Sequence, residues 1–230
     1  MRKSIENNLS SVEARLQAAA HAAGRDSTKI KLLAVSKTRP AGCLRQAYAC
    51  GLRRFGENYL QEALEKQVEL NDLSIEWHFI GPIQSNKTRA IAENFDWVHS
   101  VDRVKIARRL SDQRPKSQAP LNICLQVNLD QEASKSGVSL DEVADAAAEI
   151  ASLPHIKLRG LMAIPAKREC TEEQERAFRK LFDALEDLKQ RLPDQTLDTL
   201  SMGMSADLES AIKAGSTMVR IGTDIFGARE

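Results

Sequence analysis

The chain has 230 residues, of which 42% are hydrophobic and 28% charged, and its formal net charge is +1. This composition is ordinary for a globular protein, and the near-zero charge argues against a general nucleic-acid-binding protein. The four cysteines include no Cys-x-x-Cys pair, which argues against a zinc site and favours a reducing, cytoplasmic location. No apolar run approaches the roughly 20 residues of a membrane span.

The first predicted element is an amphipathic helix over residues 4–23, where Ile5, Leu9, Val12 and Leu16 recur at helical spacing. From there, short apolar strands alternate with helices. Strands are predicted at residues 31–37, 54–58, 76–81, 97–101, 121–129, 156–164, 199–204 and 218–223. Helices are predicted at residues 40–51, 59–72, 85–94, 103–113, 140–152, 172–192 and 205–214. Apolar strands separated by helices indicate a parallel sheet covered by helices.

Eight such units predict a single α/β domain over residues 1–230, a closed (β/α)8 barrel of the TIM type. Residues 1–24 would form an extra N-terminal helix packed on the barrel. An open doubly wound sheet is the alternative, but it favours a glycine-rich turn after the first strand. Residues 36–40 read Ser-Lys-Thr-Arg-Pro instead, which favours the barrel. Active sites of such barrels lie at the C-terminal ends of the strands.

Lys37 ends the first predicted strand at that functional face. By alternation it shares one side of the strand with Leu33 and Val35, so it would point into the barrel mouth. Partial desolvation there would favour the neutral amine, which attacks carbonyl groups. The alternative is a solvated lysine at a strand end, and spacing alone leaves both open.

Two glycine-containing loops follow the last two strands, where barrels of this type often bind phosphate. Gly203 and Gly222 would let the backbone approach a ligand, and Ser201 and Thr223 would supply hydroxyl donors. The alternative is that these are ordinary turn residues.

Three further polar residues fall in the predicted interior. Arg220 lies inside the eighth strand, where an unpaired charge is costly. It would donate to a ring nitrogen or a carboxylate, and a structural ion pair with Glu57 is the alternative. Asn58 also belongs to the interior, and His78 fits a hydrogen-bonded core residue better than a catalyst. Residues 135–137, Lys-Ser-Gly, would add positive charge at the mouth, but a solvated loop explains them better.

Seven segments together resemble the pyridoxal phosphate homeostasis protein family. They are AVSKTRP at 34–40, FGENY at 55–59, WHFIGPIQSNK at 77–87, SKSG at 134–137, RGLMAI at 159–164, SMGMS at 201–205 and VRIGTDIFG at 219–227. The similarity runs from near residue 30 to the C-terminus, and WHFIGPIQSNK is the most specific segment.

The resemblance implies a barrel of pyridoxal phosphate fold type III, related to the N-terminal domain of alanine racemase. It implies pyridoxal 5'-phosphate (PLP) as the cofactor, bound as a Schiff base to Lys37 with Arg220 at the pyridine nitrogen. The remaining implied contacts are three residues around the phosphate, Ser201, Gly222 and Thr223, and two that line the site, Asn58 and Met202.

The implied role is a carrier or regulator of intracellular vitamin B6 and amino-acid levels, without clear catalytic activity. A permanently protonated Arg220 would keep the pyridine ring neutral and weaken the electron sink that transamination needs. Alanine racemases take a second base, a tyrosine, from an extra β domain, whereas Tyr48 and Tyr59 are predicted on or beside early helices. A small racemase with His78 as second base, and a cofactor-free Schiff-base aldolase using Lys37, stay open as alternatives.

The expected partners follow from this role. PLP is the ligand, and enzymes that lack their PLP would receive it. We expect no nucleic-acid or membrane partner, no metal ion, no catalytic residue, and a monomer or weak dimer.

Overall fold

The computed structural model describes residues 4–132, 135–168 and 170–228. Its strands are β1 (Lys31–Val35), β2 (Arg54–Glu57), β3 (Glu76–Phe79), β4 (Trp97–Val101), β5 (Leu121–Gln126), β6 (Ile156–Met162), β7 (Thr199–Ser201) and β8 (Met218–Ile221). Its helices are α1 (Ile5–Ala22), α2 (Ala41–Ala49), α3 (Leu60–Glu69), α4 (Thr88–Asn94), α5 (Val104–Gln113), α6 (Val143–Ala151), α7 (Thr171–Arg191), α8 (Leu208–Lys213) and α9 (Thr223–Phe226).

The predicted closed barrel is confirmed. All eight strands pair in parallel and in chain order, and β8 pairs with β1 through registers such as Leu33 with Arg220. The main apolar core lies between the barrel and its helices, where each buried large side chain contributes about 1.5–3 kcal/mol. None of the helices in the described ranges is long and apolar enough to cross a membrane.

The predicted N-terminal helix is also confirmed, and it is tied to the loops after β7 and β8. α1 buries one face through Leu9, Val12, Leu16 and Ala20. On its neighbouring face the guanidinium of Arg15 donates to the carboxylates of Glu209 and Asp224 and to the carbonyl oxygen of Ser205. The helix therefore braces the end of the barrel at which the phosphate loops were predicted.

The strands end earlier than the apolar runs predict. β1 stops at Val35, so Lys37 lies in the loop beyond it. β7 stops at Ser201, because the chain turns at Gly203 with a φ of 96°. Thr223 was predicted to end a strand, but it opens the short helix α9. The polar residues at these strand ends belong to turns, which periodicity does not distinguish from strand continuation.

Candidate functional site

A cavity of about 290 Å³ opens at the C-terminal ends of the strands, the predicted functional face. Three basic side chains, Lys37, Arg39 and Arg220, are among its described lining residues, and no carboxylate is. Such a surface attracts an anionic ligand. In the described ranges no group of three or more His, Cys, Asp or Glu side chains could hold a metal ion.

The structure brings five of the predicted site residues together around this cavity. They are Lys37, Asn58, Arg220, Gly222 and Thr223. The other two, Ser201 and Met202, are fully buried and do not line it. Ser205, four residues after Ser201, lies beyond the Gly203 turn and does line the cavity. Ser205, and not Ser201, therefore lines the cavity together with Thr223.

The backbone on either side of Lys37 is tightly held. Thr38 has a φ of 61°, a left-handed conformation that β-branched residues rarely adopt. Its N–H donates to a carboxylate oxygen of Glu62 at 2.6 Å, and the N–H of Ser36 donates to the carbonyl of Gly56 at 3.0 Å. Arg39 extends the support by donating to the carbonyl oxygen of Gly227 at 2.5 Å. Strained backbone persists where the surroundings over-determine it, as they do here.

A buried ion cluster beneath Lys37 provides most of that support. The ammonium of Lys66 donates to the carbonyl of Ser36 at 2.8 Å, to Glu57 at 2.7 Å and to Glu62 at 2.6 Å. Burial raises the pKa of Glu57, and the contacts with Lys66 and Ser36 partly offset the rise. The alternative that Arg220 pairs with Glu57 is wrong, because Glu57 is engaged by Lys66 and Ser36.

Arg220 lies in β8, the strand that pairs with β1, and its side chain also lines the cavity. Its guanidinium donates to the carbonyl of Ser201 at 2.5 Å, to the hydroxyl of Ser201 at 2.8 Å and to the carbonyl of Ala163 at 3.0 Å. Burial lowers the pKa of Arg220 to about 10, so the side chain stays charged at neutral pH. Hydrogen bonds to the described residues therefore use three of the five N–H donors of Arg220.

Two buried histidines lie below Arg220 inside the barrel. His78 Nδ1 lies 2.8 Å from His99 Nε2, and His99 Nδ1 lies 2.7 Å from the hydroxyl of Ser201. His78 is a hydrogen-bonded interior residue, as predicted, whereas the role of His99 was not predicted. The alternation in β4 was an available signal, since His99 lies two residues from Trp97, whose ring stacks on His78.

A second cavity of about 230 Å³ adjoins the first and shares Asn58, Ile80, Met162 and Ile164 with it. Lys135 and Ser136 line this neighbour, so the predicted position of residues 135–137 at the mouth is correct for these two. The ammonium of Lys135 donates to Glu132 at 2.8 Å. Ser134 of the same motif lies outside the described residues.

Comparison with known proteins gives a consistent result. The family model of the alanine racemase N-terminal domain matches residues 7–230. The pyridoxal phosphate homeostasis protein of Pseudomonas aeruginosa is 59% identical over 226 residues, which cover 98% of this chain and 96% of that protein. The protein of the same name from Escherichia coli is 52% identical over 229 residues, covering 98% and 97%.

Solved structures agree. PipY of Synechococcus elongatus with PLP bound matches with a TM-score of 0.85 and 35% identity, covering 97% of this chain and all of that one. Alanine racemase of Corynebacterium glutamicum shares the fold, with a TM-score of 0.67 and 19% identity over 96% of this chain and 61% of that one.

Proposed function

The chain belongs to the pyridoxal phosphate homeostasis protein family, and from that premise we propose that it holds PLP as a Schiff base on Lys37, within the cavity at the barrel mouth. The protein binds PLP and acts in the homeostasis of this cofactor. The observation that carries the site assignment is the cavity lining itself, where three basic side chains meet in the absence of a described carboxylate.

The lysine end of the site would be the covalent anchor. Lys37 is half-buried at the rim, with Ser36 and Thr38 fixed on either side by the ion cluster around Lys66. A fixed backbone presents the amine in one direction, which reduces the entropy lost on attachment. When bound, PLP would supply the aldehyde that this amine captures.

The phosphate end of the site would lie at Gly222, beside β1. Gly222 brings the backbone so close to β1 that an added Cβ would lie 3.1 Å from the carbonyl oxygen of Val35. Thr223 and Ser205 flank this point with hydroxyl groups, and Arg39 adds a positive charge at the rim. Charge-assisted hydrogen bonds from such donors to phosphate oxygens are about twice as strong as neutral ones.

Between the two ends, Arg220 and Asn58 would contact the ring. The side-chain oxygen of Asn58 is buried and has no hydrogen-bond partner among the described residues, which is unusual and fits an atom that accepts from a bound ligand. Arg220 can only donate, so a pyridine nitrogen facing it would be an acceptor and would stay unprotonated.

We propose that the protein holds the cofactor and does not use it. Arg220 disfavours the protonated ring that strong carbanion chemistry needs. Neither tyrosine lines the cavity, since Tyr48 packs on Arg53 outside the barrel and Tyr59 is 53% exposed. His78, the other candidate second base, is fully buried with both ring nitrogens engaged.

Two features concern the release of PLP and the compartment in which it would occur. The cavity is open at the barrel mouth, so bound PLP could leave toward a recipient, and we propose PLP-dependent enzymes in their apo form as the recipients. All four cysteines are free, which suits a reducing compartment, and we place the exchange in the cytoplasm. For the oligomeric state we propose a monomer or weak dimer.

Borohydride reduction of the PLP-loaded protein, followed by peptide mass mapping, tests the assignment. We expect one reduced adduct per chain, on the peptide that contains Lys37. Lys135→Ala is the matched control, because Lys135 lies in the adjoining cavity, and it should leave the adduct on Lys37 unchanged. An adduct that maps to another lysine in the unaltered protein would refute the attachment site.

A further inference from the structure

Arg220 is a buried cation that touches no carboxylate of the described residues. Its three hydrogen bonds go to the carbonyl oxygens of Ser201 and Ala163 and to the hydroxyl of Ser201. Asp207 is a nearby acid that attracts it through space, but its carboxylate accepts the N–H of Met204. A buried charge whose hydrogen-bond partners are all neutral is expensive, so the wider surroundings must compensate for it.

A chain of hydrogen bonds leads from Arg220 to a carboxylate at the other end of the barrel. The hydroxyl of Ser201 in β7 is 2.7 Å from His99 Nδ1 in β4, and His99 Nε2 is 2.8 Å from His78 Nδ1 in β3. His78 Nε2 is 2.8 Å from the carboxylate of Glu76. Glu76 opens β3, where its side chain is 39% exposed and pairs with Arg54.

The direction of every proton in this chain is fixed by its two ends. A guanidinium only donates, and an ionised carboxylate only accepts. Because Glu76 accepts, His78 carries its proton on Nε2 and accepts on Nδ1. His99 must then donate from Nε2 and accept on Nδ1, so the hydroxyl of Ser201 donates to His99 and offers a lone pair to Arg220.

The charge states agree with this arrangement. Burial lowers the pKa of His78 and lowers that of His99 well below its ordinary value, so both rings are neutral and carry one proton each. The hydrogen bond from His78 lowers the pKa of Glu76, which keeps that carboxylate ionised. Four hydrogen bonds therefore point the same way, from cation to anion, and bonds aligned in series polarise one another.

We propose that Glu76 is the relayed counter-charge of Arg220, acting through His78, His99 and Ser201 to hold the guanidinium in place at the cavity floor. These four residues are positioning residues for the ring end of the cofactor, a role that rests on the proposed function. A carboxylate in direct contact with Arg220 would instead lie beside the cavity, where it would repel an anionic ligand and favour a protonated ring. Because a serine and two neutral histidines separate Glu76 from the guanidinium, Glu76 neither repels the ligand nor favours protonation of the ring.

The tautomers of the two histidines test the chain without any cofactor. Long-range proton–nitrogen correlation NMR on the apo protein should show His78 and His99 neutral and protonated on Nε2, with exposed His21 as an internal reference. A proton on Nδ1 of either ring, or an imidazolium at neutral pH, would overturn the relay.

Three variants then separate the relay from a merely structural role. Glu76→Gln keeps an acceptor for His78 and should preserve both tautomers, whereas Glu76→Leu removes it and should produce Nδ1-protonated forms. Glu149→Gln is the matched control, since Glu149 is a half-exposed glutamate paired with Arg108 on the outer helices, and it should change neither ring.

In the PLP-loaded protein, Glu76→Leu should move the absorption maximum of the bound cofactor. It should also raise the dissociation constant roughly ten-fold, as weakening of one hydrogen bond to a charged group would. Glu149→Gln should do neither. Altered tautomers in Glu76→Leu with an unchanged spectrum and affinity would overturn the link to the cofactor. Correct tautomers in a protein that does not bind PLP would refute the proposed function and leave the relay standing.

Discussion

The two sides of the cavity each contain a buried cation, and they neutralise it differently. On the side of β1 and β2, Lys66 contacts the carboxylates of Glu57 and Glu62 directly. On the side of β7 and β8, Arg220 contacts neutral oxygens, and the hydrogen-bonded acid, Glu76, is four bonds away. The first arrangement is a compact ion cluster and the second is a relay.

The difference follows from what each cation supports. Lys66 lies beneath the backbone of Ser36 and Thr38, so its carboxylates stay below the loop that carries Lys37. Direct ion pairs are strong enough there to hold a strained φ at Thr38. Arg220 itself lines the cavity, so a contacting acid would oppose the anionic ligand. The cation that forms part of the binding surface, Arg220, therefore has a distant counter-charge, whereas the cation behind that surface, Lys66, is paired directly.

The largest expected effect comes from breaking the ion cluster with Lys66→Met. Glu57 would lose its cation while still buried, and loss of one partner of a buried pair typically costs about 3–5 kcal/mol of unfolding free energy. Urea denaturation measures this loss, which we expect to exceed that of any single change in the relay.

The pH dependence identifies Glu57 as the cause. Its folded pKa is already raised by burial, and removal of Lys66 raises it further. A raised folded pKa means that the folded state binds the proton more tightly, so stability is highest at acidic pH and is lost as pH rises through the folded pKa. The variant should thus be closest to wild type at acidic pH. The double variant Lys66→Met/Glu57→Gln should recover part of the loss, and a small, pH-independent defect would contradict this account.

A smaller effect is expected at the phosphate end, from Ser205→Ala. Loss of a hydrogen bond to a charged acceptor costs about 1.5–3 kcal/mol, so the PLP dissociation constant should rise roughly 10- to 100-fold. The absorption maximum should stay the same, because Ser205 is not part of the relay that connects Arg220 with Glu76. Ser136→Ala, in the adjoining cavity, is the matched control for an equilibrium titration. An unaffected dissociation constant for Ser205→Ala would place the phosphate elsewhere.

The smallest effect is expected from Thr38→Gly, in the loop that the ion cluster around Lys66 supports. Thr38→Gly relieves a left-handed conformation that costs roughly 1–2 kcal/mol for a residue with a Cβ. Glycine loses more conformational entropy on folding, which offsets roughly half of that gain. We expect a net gain of up to about 1 kcal/mol in unfolding free energy. Thr196→Gly, at an exposed loop position without a positive φ, should instead lose stability. A loss of stability in Thr38→Gly would show that Thr38 is unstrained.

The candidate site was predicted in part, and the two differences have separate causes. Lys37, Asn58 and Arg220 could be placed because strand ends in a parallel barrel share one face. Ser201 was predicted to line the site, but it is buried and Ser205 lines the cavity instead, because the chain turns at Gly203 with a φ of 96°, which the sequence does not show. His99 was missed because its partner Ser201 belongs to β7, which is distant in the chain and reaches β4 only across the closed barrel.

The sequence by itself determined the local features: eight apolar strands alternating with helices, a lysine at the end of the first apolar run, and glycines near the ends of the last two. These depend on backbone periodicity and on contacts a few residues apart, which neighbouring residues encode. Only the tertiary structure determined which charged and polar groups contact one another. Lys66 reaches Ser36 from 30 residues away, and Ser201 meets His99 from 102 residues away. Closure of the barrel brings those strands together, and the low dielectric of its interior then makes each such pairing decisive.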